Sequence, residues 1–312
     1  PTTPPPVPSG SAGDGTATGV PAPADATAPS PGPDVSPYLG LGAWVDAFDY
    51  APAYYRPREG RQVVPEDLHA MAAQGVQTLY LQAARRDEKS PEGIVDAALV
   101  GRFLSTAHAA GMRVVAWYLP KFGDVEADLA NLLRLRDFRA DGRRFDGIAV
   151  DIEYRSEVPD AGELNRRVIE LSRRLRAAAP DRPLGAIVYP PVHFEVTRPA
   201  FWPGFPWADL ADAYDVWLPM AYWTEVPAGS AYRDAYRYVH EGTRRLREVL
   251  GDPAAPVHVI GGVADTATVG DLAGFVRGVG QVGAVGWSLY DYRTTTDAGW
   301  EALRQVALPE RR

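Results

Sequence analysis

The stretch 145–153 reads FDGIAVDIE, an apolar run that ends in two acidic residues, Asp151 and Glu153. Successive side chains of a β-strand alternate between its faces, so these two carboxylates are expected to project to the same side. Neighbouring carboxyls at a buried strand end disfavour each other's ionisation, and one of them therefore keeps its proton to higher pH. The spacing predicts a candidate general acid and its partner. The alternative interpretation is a capping or salt-bridging pair without chemistry.

The elements that would position this pair follow from an alternation of short apolar runs and amphipathic stretches after residue 37. Strands are predicted at 39–45, 78–83, 113–119, 147–152, 184–189, 215–220, 257–260 and 284–289. Helices are predicted at 65–74, 96–110, 125–139, 161–179, 207–213, 232–250, 268–279 and 297–306. Gly75 and Gly111 stand where left-handed helix caps are expected. Eight strand–helix units in about 270 residues predict an α/β fold, a single (β/α)8 TIM barrel. A doubly wound sheet is disfavoured, because the turn at 45–50 is not glycine-rich.

Composition narrows the classes of partner. The formal net charge of −8 argues against nucleic acid or an anionic membrane surface as the main partner. The chain has no cysteine, which excludes disulfides and thiolate sites, and no apolar run approaches the length of a transmembrane segment. The five histidines lack the spacing of metal ligands, so neither a metal nor a cofactor is predicted. A hard cation held by Asp151 and Glu153 is the alternative.

Residues 1–36 are rich in Pro, Ala, Gly, Thr and Ser and poor in bulky apolar residues. Such a tract cannot bury enough apolar surface to offset its chain entropy, so it is predicted to be a disordered linker. We expect it to tether the barrel at 37–312 to the cell envelope, with the protein extracellular or envelope-attached. The chain opens at Pro1, so we expect an upstream segment to have been removed. An ordinary disordered tail or a cloning remnant is the alternative.

In a TIM barrel the chemistry lies at the carboxyl ends of the strands. The predicted rim there combines aromatic rings, which stack on sugar faces, with acids that hydrogen-bond hydroxyls, so a polysaccharide or glycoconjugate is the predicted ligand. Besides the acidic pair and Tyr222, the residues predicted to contact it are Trp44, Asp46, Tyr118, Tyr189, Trp223, Trp287 and Asp291. The alternative for Trp117, Trp217 and Trp287 is packing in the core. The charged run 85–89 after strand 2 is interpreted as a self-paired loop, with substrate contact by one arginine as the alternative.

Three segments carry a resemblance to a known family. Asp-Gly-Ile-Ala-Val-Asp-Ile-Glu at 146–153 resembles the strand-4 signature of family 18 glycoside hydrolases, the chitinases and their relatives, Asp-Gly-x-Asp-x-Asp-x-Glu. Met-Ala-Tyr at 220–222 is similar to that family's strand-6 Met-x-Tyr, and Gly-Trp-Ser at 286–288 resembles its closing strand. The resemblance implies retaining hydrolysis assisted by an N-acetylhexosamine substrate. Glu153 would protonate the glycosidic oxygen, Asp151 and Tyr222 would hold the acetamido group, and Trp287 would form the floor under the sugar.

Two alternatives remain open. Ala149 stands where the family has a further Asp, and strand 3 reads VVAWY rather than Ser-x-Gly-Gly. These departures allow a carbohydrate-binding barrel without catalysis. A two-carboxylate glycosidase would instead need a second acid on the rim. The candidates for that acid are Asp46, Asp49, Asp265 and Asp291.

Overall fold

The computed structural model describes residues 34–56 and 60–306. Eight parallel strands close into a barrel in sequence order, because β1 pairs with both β2 and β8. The strands are β1 Gly40–Val45, β2 Thr78–Gln82, β3 Arg113–Tyr118, β4 Gly147–Asp151, β5 Leu184–Val188, β6 Val216–Ala221, β7 His258–Gly261 and β8 Gly286–Leu289. The predicted (β/α)8 barrel is confirmed, and each predicted strand lies within two residues of its observed bounds.

Helices separate the strands and cover the outside of the barrel. They are α1 Ala47–Tyr50, α2 Asp67–Ala73, α3 Ala97–Ala109, α4 Val125–Asp137, α5 Ala161–Ala178, α6 Trp207–Leu210, α7 Ala235–Leu250, α8 Val269–Gln281 and α9 Asp297–Leu303. Gly75 and Gly111 have φ of +86° and +76°, as their positions after helices predicted. The short α1 was not predicted; Asp46 caps it by accepting hydrogen bonds from the backbone N–H groups of Phe48 and Asp49.

Alternation along the strands divides the buried residues into two clusters. Outward-facing apolar side chains pack against the helices, whereas inward-facing side chains fill the barrel in layers. The inward cluster is Tyr38, Trp44, Tyr80, Val115, Trp117, Ala149, Ile187, Val216, Leu218, Met220, Ile260 and Val285. Side chains therefore fill the interior of the barrel. The layer at the carboxyl ends of the strands faces the mouth of the barrel.

Tyr38 closes the opposite end of the barrel. It lies in a 3-10 turn, Ser36–Tyr38, immediately before β1, and its side chain is fully buried. Its hydroxyl donates to the carbonyl of Ile148 at 2.8 Å, and the ring lies over Gly147 and Gly185. A Cβ at either glycine would come within 2.9 Å of Tyr38, so the ring fits only because these strand positions lack side chains.

The predicted linker at 1–36 lies almost wholly outside the described residues, so its role as a tether stays a prediction. Within the part of the chain that is described, no helix has the length and apolar character needed to cross a bilayer.

Candidate active site

A cavity of about 280 Å³ opens at the carboxyl ends of the strands, and the predicted acidic pair lies in it. Asp151 is the last residue of β4, and Glu153 follows two residues later, so both side chains point inward as the spacing predicted. The other lining residues come from every strand or the loop after it. They are Trp44, Asp46, Phe48, Gln82, Arg85, Trp117, Leu119, Ile187, Tyr189, Met220, Tyr222, Glu225, Ile260 and Tyr290.

Burial raises the pKa of both carboxyls of the acidic pair. Burial and the charge of Glu153 raise the pKa of Asp151 well above its ordinary value. Burial also raises the pKa of Glu153; a hydrogen bond with Tyr189 opposes that shift and the charge of Glu225 adds to it. The pair therefore keeps a proton at higher pH than an isolated carboxyl would. Within the described residues, Asp151 Oδ1 is buried and has no hydrogen-bond partner, which leaves it available to a ligand.

Three tyrosines form one wall of the cavity. The ring of Tyr222, just after β6, lies 6.1 Å from Tyr189 and 6.3 Å from Tyr290, centroid to centroid. Burial and the charges of Glu153 and Asp151 raise the pKa of the Tyr222 hydroxyl, so this group stays protonated and can donate a hydrogen bond. The wall thus combines apolar ring surface with neutral donors beside the acidic pair.

Two tryptophans line the cavity from below. Trp44 of β1 stacks on Tyr80 at 4.3 Å with nearly parallel rings, and it meets Trp117 of β3 edge-on at 6.0 Å. In the described part of the chain, Trp117 Nε1 is buried and unpartnered. Trp117 was considered as core, and it both packs in the barrel interior and faces the cavity. An indole donor and a carboxylate acceptor are therefore both unsatisfied at this site.

A buried hydrogen-bond chain fixes Trp44 in place. Its Nε1 donates to Ser288 Oγ at 2.8 Å, and Ser288 Oγ lies 3.0 Å from His258 Nε2. His258 Nδ1 in turn lies 3.0 Å from the Tyr80 hydroxyl. Burial lowers the pKa of His258 to about 4, so the imidazole is neutral at physiological pH. The indole under the cavity is thus held by stacking on one face and by one hydrogen bond at its edge.

Four of the residues predicted to contact substrate do not line the cavity: Tyr118, Trp223, Trp287 and Asp291. Trp287 faces outward because its neighbour Ser288 faces inward, and its Nε1 donates to the carbonyl of Leu303 in α9 at 2.9 Å. Trp223 is fully buried against α8, with its ring 5.6 Å from that of Phe275. The Tyr118 hydroxyl donates to Asp128 of α4. The expectation that Trp287 forms the floor is therefore wrong in geometry, since Trp44 and Trp117 occupy that place.

Asp46 and Asp291 belong to a second group of acids. With Asp49 they form three carboxylates whose oxygens lie within 4.8 Å of one another. Burial and the charges of Asp46 and Asp291 raise the pKa of Asp49 to about 8, while Arg293, whose Nε lies 3.1 Å from Asp49 Oδ1, opposes that shift. Oxygen ligands of this kind suit a hard cation, but the guanidinium already supplies positive charge there. Asp46 lines the cavity and accepts from Tyr290 at 2.8 Å, whereas Asp291 does not line it.

Glu225 is the acidic residue that sequence reasoning missed. It lies in a short 3-10 turn, Trp223–Glu225, three residues after Tyr222, and it is exposed at the cavity. The signal available in the sequence was an acid just beyond the Met-Ala-Tyr segment, but a residue in a loop has no strand periodicity to orient it. Asp265, a predicted second acid, does not line the cavity.

No protein-family model matches the chain, and no curated protein matches it. Solved structures do. The endo-beta-1,4-mannanase from Thermotoga petrophila aligns with a TM-score of 0.61 at 12% identity, over 86% of this chain and 76% of that one. A GH18 chitinase from Pseudoalteromonas aurantia aligns with a TM-score of 0.59 at 13% identity, over 86% of this chain and 100% of that one. The C-terminal domain of a putative chitinase from Desulfitobacterium hafniense aligns with a TM-score of 0.58 at 12% identity, over 86% of this chain and 99% of that one. The chain therefore has the TIM-barrel fold found in chitinases and related glycoside hydrolases.

Proposed function

We propose that this protein is a glycoside hydrolase acting on a polysaccharide or glycoconjugate that contains N-acetylhexosamine, with Glu153 as general acid. The observation that carries the proposal is the coupled pair at the end of β4. Burial raises the pKa of both Asp151 and Glu153, the charge of Glu153 adds to the shift of Asp151 and that of Glu225 to the shift of Glu153, and both side chains face a cavity walled by aromatic rings. The glycoside hydrolases that share the fold support the proposal.

The proposed reaction proceeds in two steps. Glu153 gives its proton to the glycosidic oxygen as the bond to the anomeric carbon breaks, and the acetamido carbonyl oxygen of the same sugar attacks that carbon. Asp151 Oδ1, which has no partner in the described structure, accepts the acetamido N–H, while the Tyr222 hydroxyl donates to the acetamido oxygen. Water then attacks the anomeric carbon and passes a proton to the Glu153 carboxylate. Two inversions give net retention.

A carbohydrate-binding barrel without catalysis is the second candidate, and Ala149 is the observation that favours it. Ala149 pairs in register with Trp117 and lies fully buried in the barrel interior, two residues before Asp151. The resemblance places a further carboxylate at this position, beneath the acidic pair. Its absence removes one charge from the pair's surroundings, and the cavity would still bind a sugar through its rings.

A matched panel of hexasaccharides tests the proposal. N-acetylchitohexaose, cellohexaose and mannohexaose share a chain length, but only the first carries acetamido groups. We expect release of reducing ends from the acetamido substrate alone, and NMR of the first product should show the retained anomer. Cleavage confined to the other two oligosaccharides would contradict substrate assistance. Binding without cleavage of any glycan would favour the non-catalytic candidate.

Replacing Glu225 by Gln should change the pH profile of hydrolysis. The negative charge of Glu225 contributes to the raised pKa of Glu153, so its removal lowers that pKa. A general acid works only while protonated, and the basic limb of kcat/KM against pH should therefore move to lower pH. The profile of Asp265→Asn, an acid on another loop outside the cavity, serves as control and should not move. An unchanged basic limb in Glu225→Gln would contradict the coupling.

A further inference from the structure

A basic groove adjoins the catalytic cavity. It measures about 670 Å³ and lies between the loop after β2, the loop after β3 and helix α4. Arg85 lines both the groove and the cavity, so the two spaces meet at this side chain. A ligand that extends beyond the cavity therefore has a path into the groove.

The groove departs from the acidic character of the whole chain. The chain carries a formal net charge of −8 and only two lysines, and both lysines line this groove. Five basic side chains line it against two acidic ones, Asp87 and Glu88. The basic residues are Arg85, Arg86, Lys89, Lys121 and Arg134. Clustered cations of this kind concentrate anionic ligands locally even when the net charge is negative.

Local packing fixes two of these cations, Arg85 and Lys89, in position. The loop after β2 is closed by a hydrogen bond from the Arg85 N–H to the Gly93 carbonyl at 2.9 Å. The Arg85 guanidinium lies 4.6 Å from the centre of the Phe48 ring and 5.0 Å from that of Tyr54. Lys89 Nζ donates to a backbone carbonyl at 3.0 Å and lies over the Tyr54 ring. Little side-chain freedom is then left to lose when an anion binds.

Some of the basic side chains that line the groove form no ion pair with an acidic side chain among the described residues. Arg86 and Lys121 both contact the Glu157 carboxylate. Among the described residues, by contrast, Arg85, Lys89 and Arg134 have no carboxylate within 4.0 Å, and Arg85 Nε is buried without an acceptor. The Asp87 carboxylate accepts the backbone N–H of Lys89, which with the nearby cations lowers its pKa. The groove thus offers several donors to an incoming anion.

We propose that this groove binds an anionic group of the substrate, a carboxylate or a phosphate ester, on a sugar next to the one held in the cavity. The inference rests on the proposed function only in assigning the anion to a glycan. Arg85 stands at the junction, and Lys89, Lys121 and Arg134 surround the space beyond it. Guanidinium and ammonium groups bind such oxyanions through charge-assisted hydrogen bonds. The expected substrate is therefore an acidic glycan.

The test compares three oligosaccharides with one backbone: N-acetylchitohexaose, the same oligomer oxidised to carboxylates at C6, and the same oligomer phosphorylated at C6. Binding is measured by calorimetry in a Glu153→Gln background, which prevents cleavage. We expect at least one charged oligomer to bind about tenfold more tightly than the neutral one at low salt. That advantage should shrink between about 20 and about 300 mM NaCl. The preferred charged oligomer identifies the anion.

The double variant Lys89→Gln/Arg134→Gln should abolish the affinity advantage of the charged oligomers over N-acetylchitohexaose. Arg143→Gln/Arg144→Gln removes the same charge from exposed residues just before β4, at the opposite end of the barrel, and should retain the advantage. Equal behaviour of the two double variants, or no preference for either charged oligomer, overturns the inference. Groove-dependent binding without hydrolysis by the wild type would uphold the inference while contradicting the proposed function.

Discussion

A Glu153→Gln variant is expected to lose glycan hydrolysis by at least about two orders of magnitude while keeping its affinity for the glycan. Glutamine has nearly the shape of the protonated acid and can keep the hydrogen bond with Tyr189, but it has no proton to give to the leaving oxygen. The loss should therefore fall on kcat. Reducing-end release from N-acetylchitohexaose measures the rate, and calorimetry measures the affinity.

The leaving group supplies a sharper readout for the same variant. An aryl N-acetylhexosaminide leaves as a stable phenolate and needs little protonation, so Glu153→Gln should lose much less activity on it than on the oligosaccharide. A merely structural role of Glu153 would reduce both activities equally. Glu301→Gln, an exposed change in α9, is the matched control and should retain both. If Glu153→Gln hydrolysed the oligosaccharide at a rate within tenfold of the wild type, Glu153 would not be the general acid.

The strands and the placement of the acidic pair were predictable because both depend on local patterns. Parallel strands buried on two faces appear as short apolar runs, and the runs at 147–152 and 215–220 match β4 and β6 closely. Once the strands are known, the barrel places the residues at their carboxyl ends at one mouth. The spacing of Asp151 and Glu153 and their place at the end of the fourth predicted strand put both side chains at this mouth, and both line the cavity.

The orientation of β8 was not predictable, because no local pattern in its sequence determines it. Its residues, Gly286–Leu289, are nearly all buried, so hydrophobicity does not indicate which side faces the barrel interior. The orientation follows from Ser288, which meets Trp44 and His258 inside the barrel and so turns Trp287 outward. A hydrogen bond between β8 and β1 joins residues that are 244 positions apart, and no local pattern carries it.

The sequence of the loops was the least informative about which side chains reach the site. Glu225 and Lys121 follow strands by several residues, where no periodicity relates a side chain to the site. The run 85–89 was interpreted as self-paired, and Asp87 does interact electrostatically with Arg85 and Lys89. What the sequence could not indicate is that α4 brings Arg134 to the same groove, because that contact depends on how the helix packs on the barrel.

A Tyr38→Ala variant is expected to lose about 3–5 kcal/mol of the free energy of unfolding, which is the cost of emptying a large aromatic site. The Tyr38 ring fills the amino-terminal end of the barrel against Gly147 and Gly185, and neither glycine has a side chain that could move into the space. The carbonyl of Ile148 would also lose its hydrogen bond from the Tyr38 hydroxyl. Urea denaturation followed by tryptophan fluorescence measures the loss.

Tyr38→Phe separates the two contributions. It keeps the ring and removes only the hydroxyl, so a loss of about 1–2 kcal/mol is expected. Tyr55→Ala, at a half-buried tyrosine whose hydroxyl donates to the exposed carbonyl of Gly60, should cost about 1 kcal/mol or less. If Tyr38→Ala were as stable as Tyr55→Ala, the turn before β1 would not contribute to the core. The cavity lies at the other end of the strands, so the Tyr38→Phe protein should retain its kcat, because the layers of side chains between the two ends stay in place.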